Sequence, residues 1–340
     1  MPSFDDVLNA FILLSNFVLL PALTYGAQLA LGALAVTLVY SILRFANFSQ
    51  ANNIAFGTAM TILLTGFFQS QGWTISGFPT ALLVVPLAIV ITTICLLLTE
   101  RWVYRYYRIN NAKSITVVMV SIGVMFIMGG LVQLIMGPEQ QIFADGARFI
   151  WTAREFKAFS GLSEGLALKT SQLTTILLAL LAVGLVFYFL QKTKIGKAMR
   201  AFSDNEDLAL LSGINPDKVV RTTWLLVAIL TTIAGVLFGL DKGFSPFQYH
   251  LLLLPIFASV IVGGIGSPLG AIVGAFVISF SEMLLTYAYK KFFIYLLPTA
   301  LEPDSLLQLI GTEYKYAVSF VILIIVLLVK PTGIFKGKVL

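Results

Sequence analysis

Charge is scarce in this chain. Only 11% of its 340 residues are Asp, Glu, Lys or Arg, against roughly 25% in a soluble globular domain. One cysteine, Cys95, and one histidine, His250, are present. A lone cysteine inside an apolar run excludes a disulfide framework and a Cys-based metal centre. No H-E-x-x-H, G-x-S-x-G or P-loop pattern occurs, and no His/Asp constellation lies within an apolar run. The sequence therefore offers no catalytic residue, no metal site and no ATP-hydrolysing site of its own. The N-terminus "MPSFDDVLNAFILLSNFVLLP" has no basic leader region and carries Asp5 and Asp6, so it does not read as a cleaved signal peptide.

Apolar residues make up 58% of the chain, and the mean hydropathy is +0.93. One soluble core cannot hide that much apolar surface, so the solvent is lipid. The apolar residues come in unbroken runs and do not alternate, which argues against a transmembrane barrel. The expected fold is all-α: a polytopic helical bundle in one transmembrane domain over 1–340, with one or two broken or re-entrant helices. Ten apolar segments are legible, near 7–22, 26–43, 54–70, 79–98, 115–136, 172–191, 222–241, 250–265, 268–288 and 313–329. The first is marginal and is weakened by Asn9 and Asn16, and the eighth is short, which gives eight to ten spans.

Basic residues set a topology. If all ten segments cross, the linker 100–113, the stretch 192–221 and the tail with Lys330, Lys336 and Lys338 share one side with the N-terminus. That side holds 14 of the 22 Lys and Arg, which marks it as cytoplasmic. The formal charge of +6 thus reflects orientation in the membrane and not nucleic-acid binding. The longest outer loop, 137–170, is long enough for a small packed cap, and a second outer stretch near 289–312 carries Lys290, Lys291, Glu302 and Asp304.

Between two very apolar runs stands "RAFSDNEDLALLSGINPDKVVR" (200–221). Ser203 and Glu206 have the spacing of a capping box, and Glu206 and Asp207 suit the first turn of the helix it would start. Gly213 suits a left-handed stop, and Asn215-Pro216 a restart. Leu208, Leu210 and Leu211 give the helix an apolar edge that nothing in the chain obviously covers. Either a helical loop or a docking helix for a partner fits these features.

Polar residues and glycines in apolar surroundings are the other candidates. "RFANFSQANNIAFG" (44–57) places Asn47, Ser49, Gln50, Asn52 and Asn53 between two spans, as a solute path or as a simple turn. "IVGGIGSPLGAIVGAFVIS" (261–279) spaces Gly266, Gly270 and Gly274 four apart, as on one helix face. Pro268 after "GGIGS" predicts a break. Glu282 is an acid inside a span and a functional candidate by default, although it lies close enough to the outer end to reach interfacial water. His250 reads as an interfacial residue.

Taken together, "TKIGKAMRAFSDNEDLALLSGINPDKVV", "ASVIVGGIGSPLGAIVGAFVIS" and "YAVSFVILIIVLLVKPTGIFKG" resemble the permease subunits of branched-chain amino acid ABC transporters. "LGALAVTLVYSILRFANFSQA" and "ERWVYRYYR" resemble earlier parts of the same family. The length and the "PTGI" tail look more like the shorter, H-type permease of the pair. The resemblance implies a bacterial inner-membrane importer subunit that works with a second permease, two cytosolic ATPases that carry the ATP and Mg, and a periplasmic binding protein. It implies that 192–221 is the ATPase-coupling segment, with Arg200, Ser203, Glu206, Asp207, Leu208 and Gly213 on it. It also implies that Asn47, Phe48 and their loop (Ser49, Gln50, Asn53), together with Gly263, Gly264 and Gly266, line the translocation region, to which Glu282 is added as the intramembrane acid. This chain reads "NFSQA" where the family commonly has "NFAHG", and the same branch also serves urea and short amides. A stand-alone channel or secondary transporter is the rival class; it would need several buried acids, and only Glu282 is present.

Overall fold

The computed structural model describes residues 3–75, 79–143, 149–297, 303 and 305–335. Glu302, Asp304, Lys336 and Lys338 lie outside the described residues. The helices are α1 (Phe4–Leu43), α2 (Gln50–Ser70), α3 (Thr80–Ile109), α4 (Ser114–Met136), α5 (Ala153–Ser160), α6 (Thr170–Lys192), α7 (Lys194–Asp204), α8 (Glu206–Leu211), α9 (Pro216–Lys242), α10 (Pro246–Gly263), α11 (Pro268–Thr286), α12 (Lys290–Leu296) and α13 (Thr312–Val329). Two short strands, β1 (Phe149–Trp151) and β2 (Leu168–Lys169), pair antiparallel. Among the described residues, nine of these helices are long and apolar enough to cross a membrane, within the eight to ten expected.

Tertiary contacts trace the path. Arg44, Asp217, the Gly264–Ser267 turn and the tail at Gly333 gather on the face that bears α7 and α8, here called the insert face. Gln141, Ser163, Glu164, Phe244, Tyr295 and the N-terminal Asn9 gather on the opposite, cap face. With nine such helices among the described residues, Ser3 and Phe335 lie on opposite faces.

This corrects the ten-segment reading. Segments 7–22 and 26–43 are one helix, α1, of 40 residues. At 1.5 Å per residue it is about 60 Å long, twice the roughly 30 Å hydrocarbon core. The first segment therefore makes no crossing of its own, and the start of α1 lies on the cap face, away from the insert. Ser3 caps α1 in a reciprocal capping box with Asp6. A π-helical turn at Ser15–Leu19 lies within it. Asn9 and Asn16 do not weaken a span; they dock the cap loop. Asn9 Oδ1 accepts from Glu164 N (2.9 Å), and Asn16 binds Gly165 O (2.7 Å) and Ala167 N (2.9 Å). The described parts of the loop 137–170 carry β1, β2 and α5. The Thr152 backbone amide and hydroxyl, both donating to Glu155, hold that carboxyl below the usual carboxylate range.

The core forms around the second half of α1 and around α9. From Ala22 to Val39 every described residue of α1 except Leu23 is buried. Its Ala, Gly and Leu occupy all faces, which suits a helix surrounded on every side. By contrast, α13 is buried over only 11% of its apolar window and α9 over 78%, so α13 stands at the periphery and α9 at the centre.

The glycine stripe is shorter than its spacing suggested. Gly266 is not on a helix; it sits in the turn after α10, at φ +83°. Gly270 and Gly274 do lie on α11, where an added Cβ would strike the backbone carbonyls of Gly263 and Ser259. α10 and α11 therefore pack backbone to backbone within one chain. α10 itself begins at Pro246, four residues before the expected 250, and turns at Leu252.

Candidate functional site

The insert on which the sequence reading centred is two helices, not one. Ser203 remains in the last turn of α7, and its carbonyl accepts from the Arg44 guanidinium (2.6 Å). The capping box between Ser203 and Glu206 does not form. Asn205, extended at φ −153°, caps α8 instead, with Oδ1 accepting from Leu208 N (3.0 Å). Glu206 and Asp207 occupy the first turn, where the dipole favours them. Gly213 takes the left-handed stop at φ +78°; it bonds Leu210 O, and Ile214 N bonds Ala209 O. Asn215 and Pro216 restart the chain as α9, as expected.

One side of the insert is anchored. Met199, Phe202 and Ala209 are buried in the main core. The other side is presented: Leu208 is 62% and Leu211 86% exposed, and Arg200, Glu206 and Asp207 are exposed beside them.

Arg44 links this insert to the break between α1 and α2. It ends α1 in the left-handed region at φ 58°. The following chain, 45–49, runs inward without helical bonds, and α2 begins below the membrane surface. Asn52 Nδ2 donates to Met125 O, and Met125 is the twelfth residue of the 23 in α4, about 17 Å from its start. Non-helical backbone is tolerated at that depth only when other groups satisfy it. Asn47 Oδ1 accepts from Ser49 N (3.2 Å), Ser49 Oγ (2.7 Å) and Tyr104 OH (3.2 Å). Phe48 N donates to Ser121 Oγ (3.1 Å), and the Phe48 ring stacks on Phe257 at 4.9 Å. Gln50 Nε2 donates to Thr231 Oγ1 (2.9 Å), and Asn53 Nδ2 to Ser49 Oγ (3.1 Å). The segment is therefore not an exposed turn.

Each of three buried amides in this cluster has one end paired and one end orphaned. Asn47 Nδ2, Gln50 Oε1 and Asn53 Oδ1 have no partner. A buried unpaired polar group costs about 1–3 kcal/mol, so three together are an expensive arrangement for packing alone. A cavity of about 320 Å³ opens at Asn52, between α2, α4 and α10, lined also by Gly129, Gln133, Phe247 and His250; the three orphaned amides are not among its lining residues. His250 Nδ1 stands 3.4 Å from Asn52 Oδ1. His250 is thus at the depth of the break and not at the interface. Sequence reasoning missed it because α10 was expected to begin four residues later, at His250 itself.

The remaining candidates lie elsewhere. Gly263, Gly264 and Gly266 sit at the insert face, where Ile334 N and Phe335 N bond Val262 O and Gly263 O. Gly266 borders Arg200, Ser203 and Asp204 across a cavity of about 440 Å³. Glu282 does not reach interfacial water. It is 0% exposed, accepts from Ser319 Oγ and pairs with Lys315 Nζ at 3.4 Å. Lys315 lies 3.9 Å above the Tyr25 ring. Tyr25 is 18 residues before the end of α1, about 27 Å along the helix, so this ion pair belongs to the cap end and not to the amide cluster.

Residues 18–327 match the family described as the permease component of branched-chain amino acid transport systems. The chain is a member of that permease family. The permease is 28% identical over 318 residues to the high-affinity branched-chain amino acid transport system permease protein LivH of Escherichia coli K12, covering 92% of each chain. It is 28% identical to the probable LivH of Methanocaldococcus jannaschii, over 94% of this chain and 92% of the other. With BraD of Pseudomonas aeruginosa it shares 25%, over 93% and 94%. As a member of this family the permease is a multi-pass membrane protein of an ABC import system.

Proposed function

We propose that this permease forms the path for a hydrophobic amino acid and takes its drive from ATPase subunits docked on α7 and α8. The observation that carries the reading is the connection from insert to break. The exposed Leu208 and Leu211 offer a partner an apolar foothold, Ser203 O holds the Arg44 guanidinium, and Arg44 is the residue at which the chain leaves α1 for the amide cluster. A push on α8 is delivered to 45–53 through one charge-assisted hydrogen bond. Movement there offers Asn47, Gln50 and Asn53 to a solute whose ammonium and carboxylate pair with the orphaned ends. A partner that binds one arrangement better than the other biases the equilibrium by that difference in affinity.

The names of the relatives support a branched-chain solute. The neutral character of the amides suits a short amide or urea equally, and that is the second reading. The insert face, with most of the basic residues, is the cytoplasmic side of a bacterial inner membrane in this reading. The cap receives a periplasmic binding protein, and a second permease completes the pair. The test is a double variant, Leu208→Asp with Leu211→Asp, in the assembled importer. Membrane insertion should be normal, while retention of the ATPase subunit and ATP-driven leucine uptake are both lost. Uptake at the wild-type rate would remove α8 as the docking helix.

A further inference from the structure

A third cavity, of about 470 Å³, opens on the insert face between α3 and the start of α9, and its lining includes neither the amides of 47–53 nor Leu208. Its rim carries Arg101, Arg105, Arg108 and Arg221. Only two carboxylates share it, and both are engaged. Glu100 is buried; it binds Arg108 (3.0 Å) and accepts from Trp224 Nε1 (2.9 Å). Asp217 binds Arg108 (3.2 Å) and Arg105 (3.8 Å). Arg101 and Arg221 are exposed, and among the described residues neither is in an ion pair or a hydrogen bond. Arg108 Nε is buried without a partner. The cavity thus holds two guanidinium groups in excess.

Its lower wall is apolar, formed by Ile94, Leu97 and Leu98. Ile94 and Leu98 also face outward from the bundle. The apolar part of α3, Thr80–Thr99, has 20 residues, about 30 Å, so it reaches the edge of the hydrocarbon where Glu100 begins. Trp102 and Tyr106, 72% and 65% exposed, mark that turn as the headgroup level, where amphipathic aromatics settle. A basic cluster with two unpaired guanidinium groups at headgroup height, standing over an apolar wall that continues into lipid, has the polarity profile of one molecule: an anionic phospholipid.

We propose that this cavity is a binding site for the phosphate headgroup of an anionic phospholipid in the insert-face leaflet. Arg101 and Arg221 take the phosphate, and the first acyl carbons lie along Leu97 and Leu98. Because the site joins α3 to α9, a bound lipid braces the helix that carries the insert's downstream end. The site does not depend on which solute is transported.

The test uses the purified full-length chain in nanodiscs or under native mass spectrometry, titrated with phosphatidylglycerol and, separately, phosphatidylcholine. Wild type should retain phosphatidylglycerol at least tenfold more tightly. Each basic residue near a surface contributes about 1 kcal/mol toward an anionic lipid, so removing one costs about fivefold and removing both about thirtyfold. Arg101→Gln with Arg221→Gln should show that loss, and Lys192→Gln with Lys194→Gln, on the same face outside the cavity, should not. Equal affinity of wild type for the two lipids overturns the proposal without needing any variant. So does unchanged phosphatidylglycerol binding in the Arg101/Arg221 variant. If millimolar inorganic phosphate displaces the lipid as completely as excess phosphatidylglycerol does, the cavity is a small-anion site and the lipid assignment fails.

Discussion

Asn53→Leu separates the two halves of the amide argument. Leucine has the branching and heavy-atom count of asparagine, so the side chain fits the same space. The change removes two things. One is the bond from Nδ2 to Ser49 Oγ (3.1 Å); Ser49 Oγ still donates to Asn47 Oδ1, so no buried donor is stranded. A neutral hydrogen bond of this kind contributes about 1 kcal/mol. The other is Oδ1, which is buried and unpaired at a cost of about 1–3 kcal/mol. The net effect on folding lies between about 0 and 2 kcal/mol of added stability. Transport runs the other way. If Asn53 Oδ1 pairs with the solute as it crosses, its loss leaves a solute donor bare and raises the barrier by about 1–3 kcal/mol, which is about fivefold to over 100-fold in rate. Thermal unfolding of the purified chain should show a midpoint no lower than wild type. Uptake by reconstituted vesicles, normalised to assembled complex, should fall at least fivefold, with solute capture by the binding protein unchanged. Wild-type uptake would show that the orphaned amides do not meet the solute, and a lowered midpoint would show that Oδ1 is not the burden assigned to it.

Three other changes test separate parts of the structure. Asn205→Ala should destabilise α8 by about 1 kcal/mol through loss of its cap and increase amide exchange at Leu208, while Ser203→Ala leaves that exchange unchanged. Gly274→Leu should drive a side chain into the Ser259 carbonyl and force α10 from α11; the yield of folded monomer should collapse even without a partner permease, and a normal yield would refute the close packing. Glu282→Leu should destabilise by up to about 3 kcal/mol by leaving the half-buried Lys315 without its counter-ion, and Glu282→Leu with Lys315→Met should recover most of that loss, as read by thermal unfolding in detergent.

Composition and periodicity alone determined the class of this protein. Unbroken apolar runs of about 20 residues in a chain with little charge leave only a helical bundle in lipid, because helices and closed barrels alone satisfy the backbone there and a barrel's strands would alternate. Gly213 and Asn215-Pro216 also worked from sequence, since a left-handed stop and a capped restart are set within a few residues. Choices that depend on distant partners did not. Ser203 and Asn205 are both competent caps, and the bond from Arg44 to the Ser203 carbonyl, 159 residues away in sequence, accompanies a Ser203 that stays helical and leaves the cap to Asn205. Asn9 and Asn16 look like defects in a span until residues 163–167 arrive to bind them. Glu282 looks interfacial until α13 brings Ser319 and Lys315 to it. His250 looks superficial until α10 starts at Pro246 and carries it down to Asn52. A sequence gives hydropathy along the chain but not depth across the bundle. Depth is fixed by which helices pack against which, and that placed the amides of 47–53 in the interior and the insert's leucines at the surface.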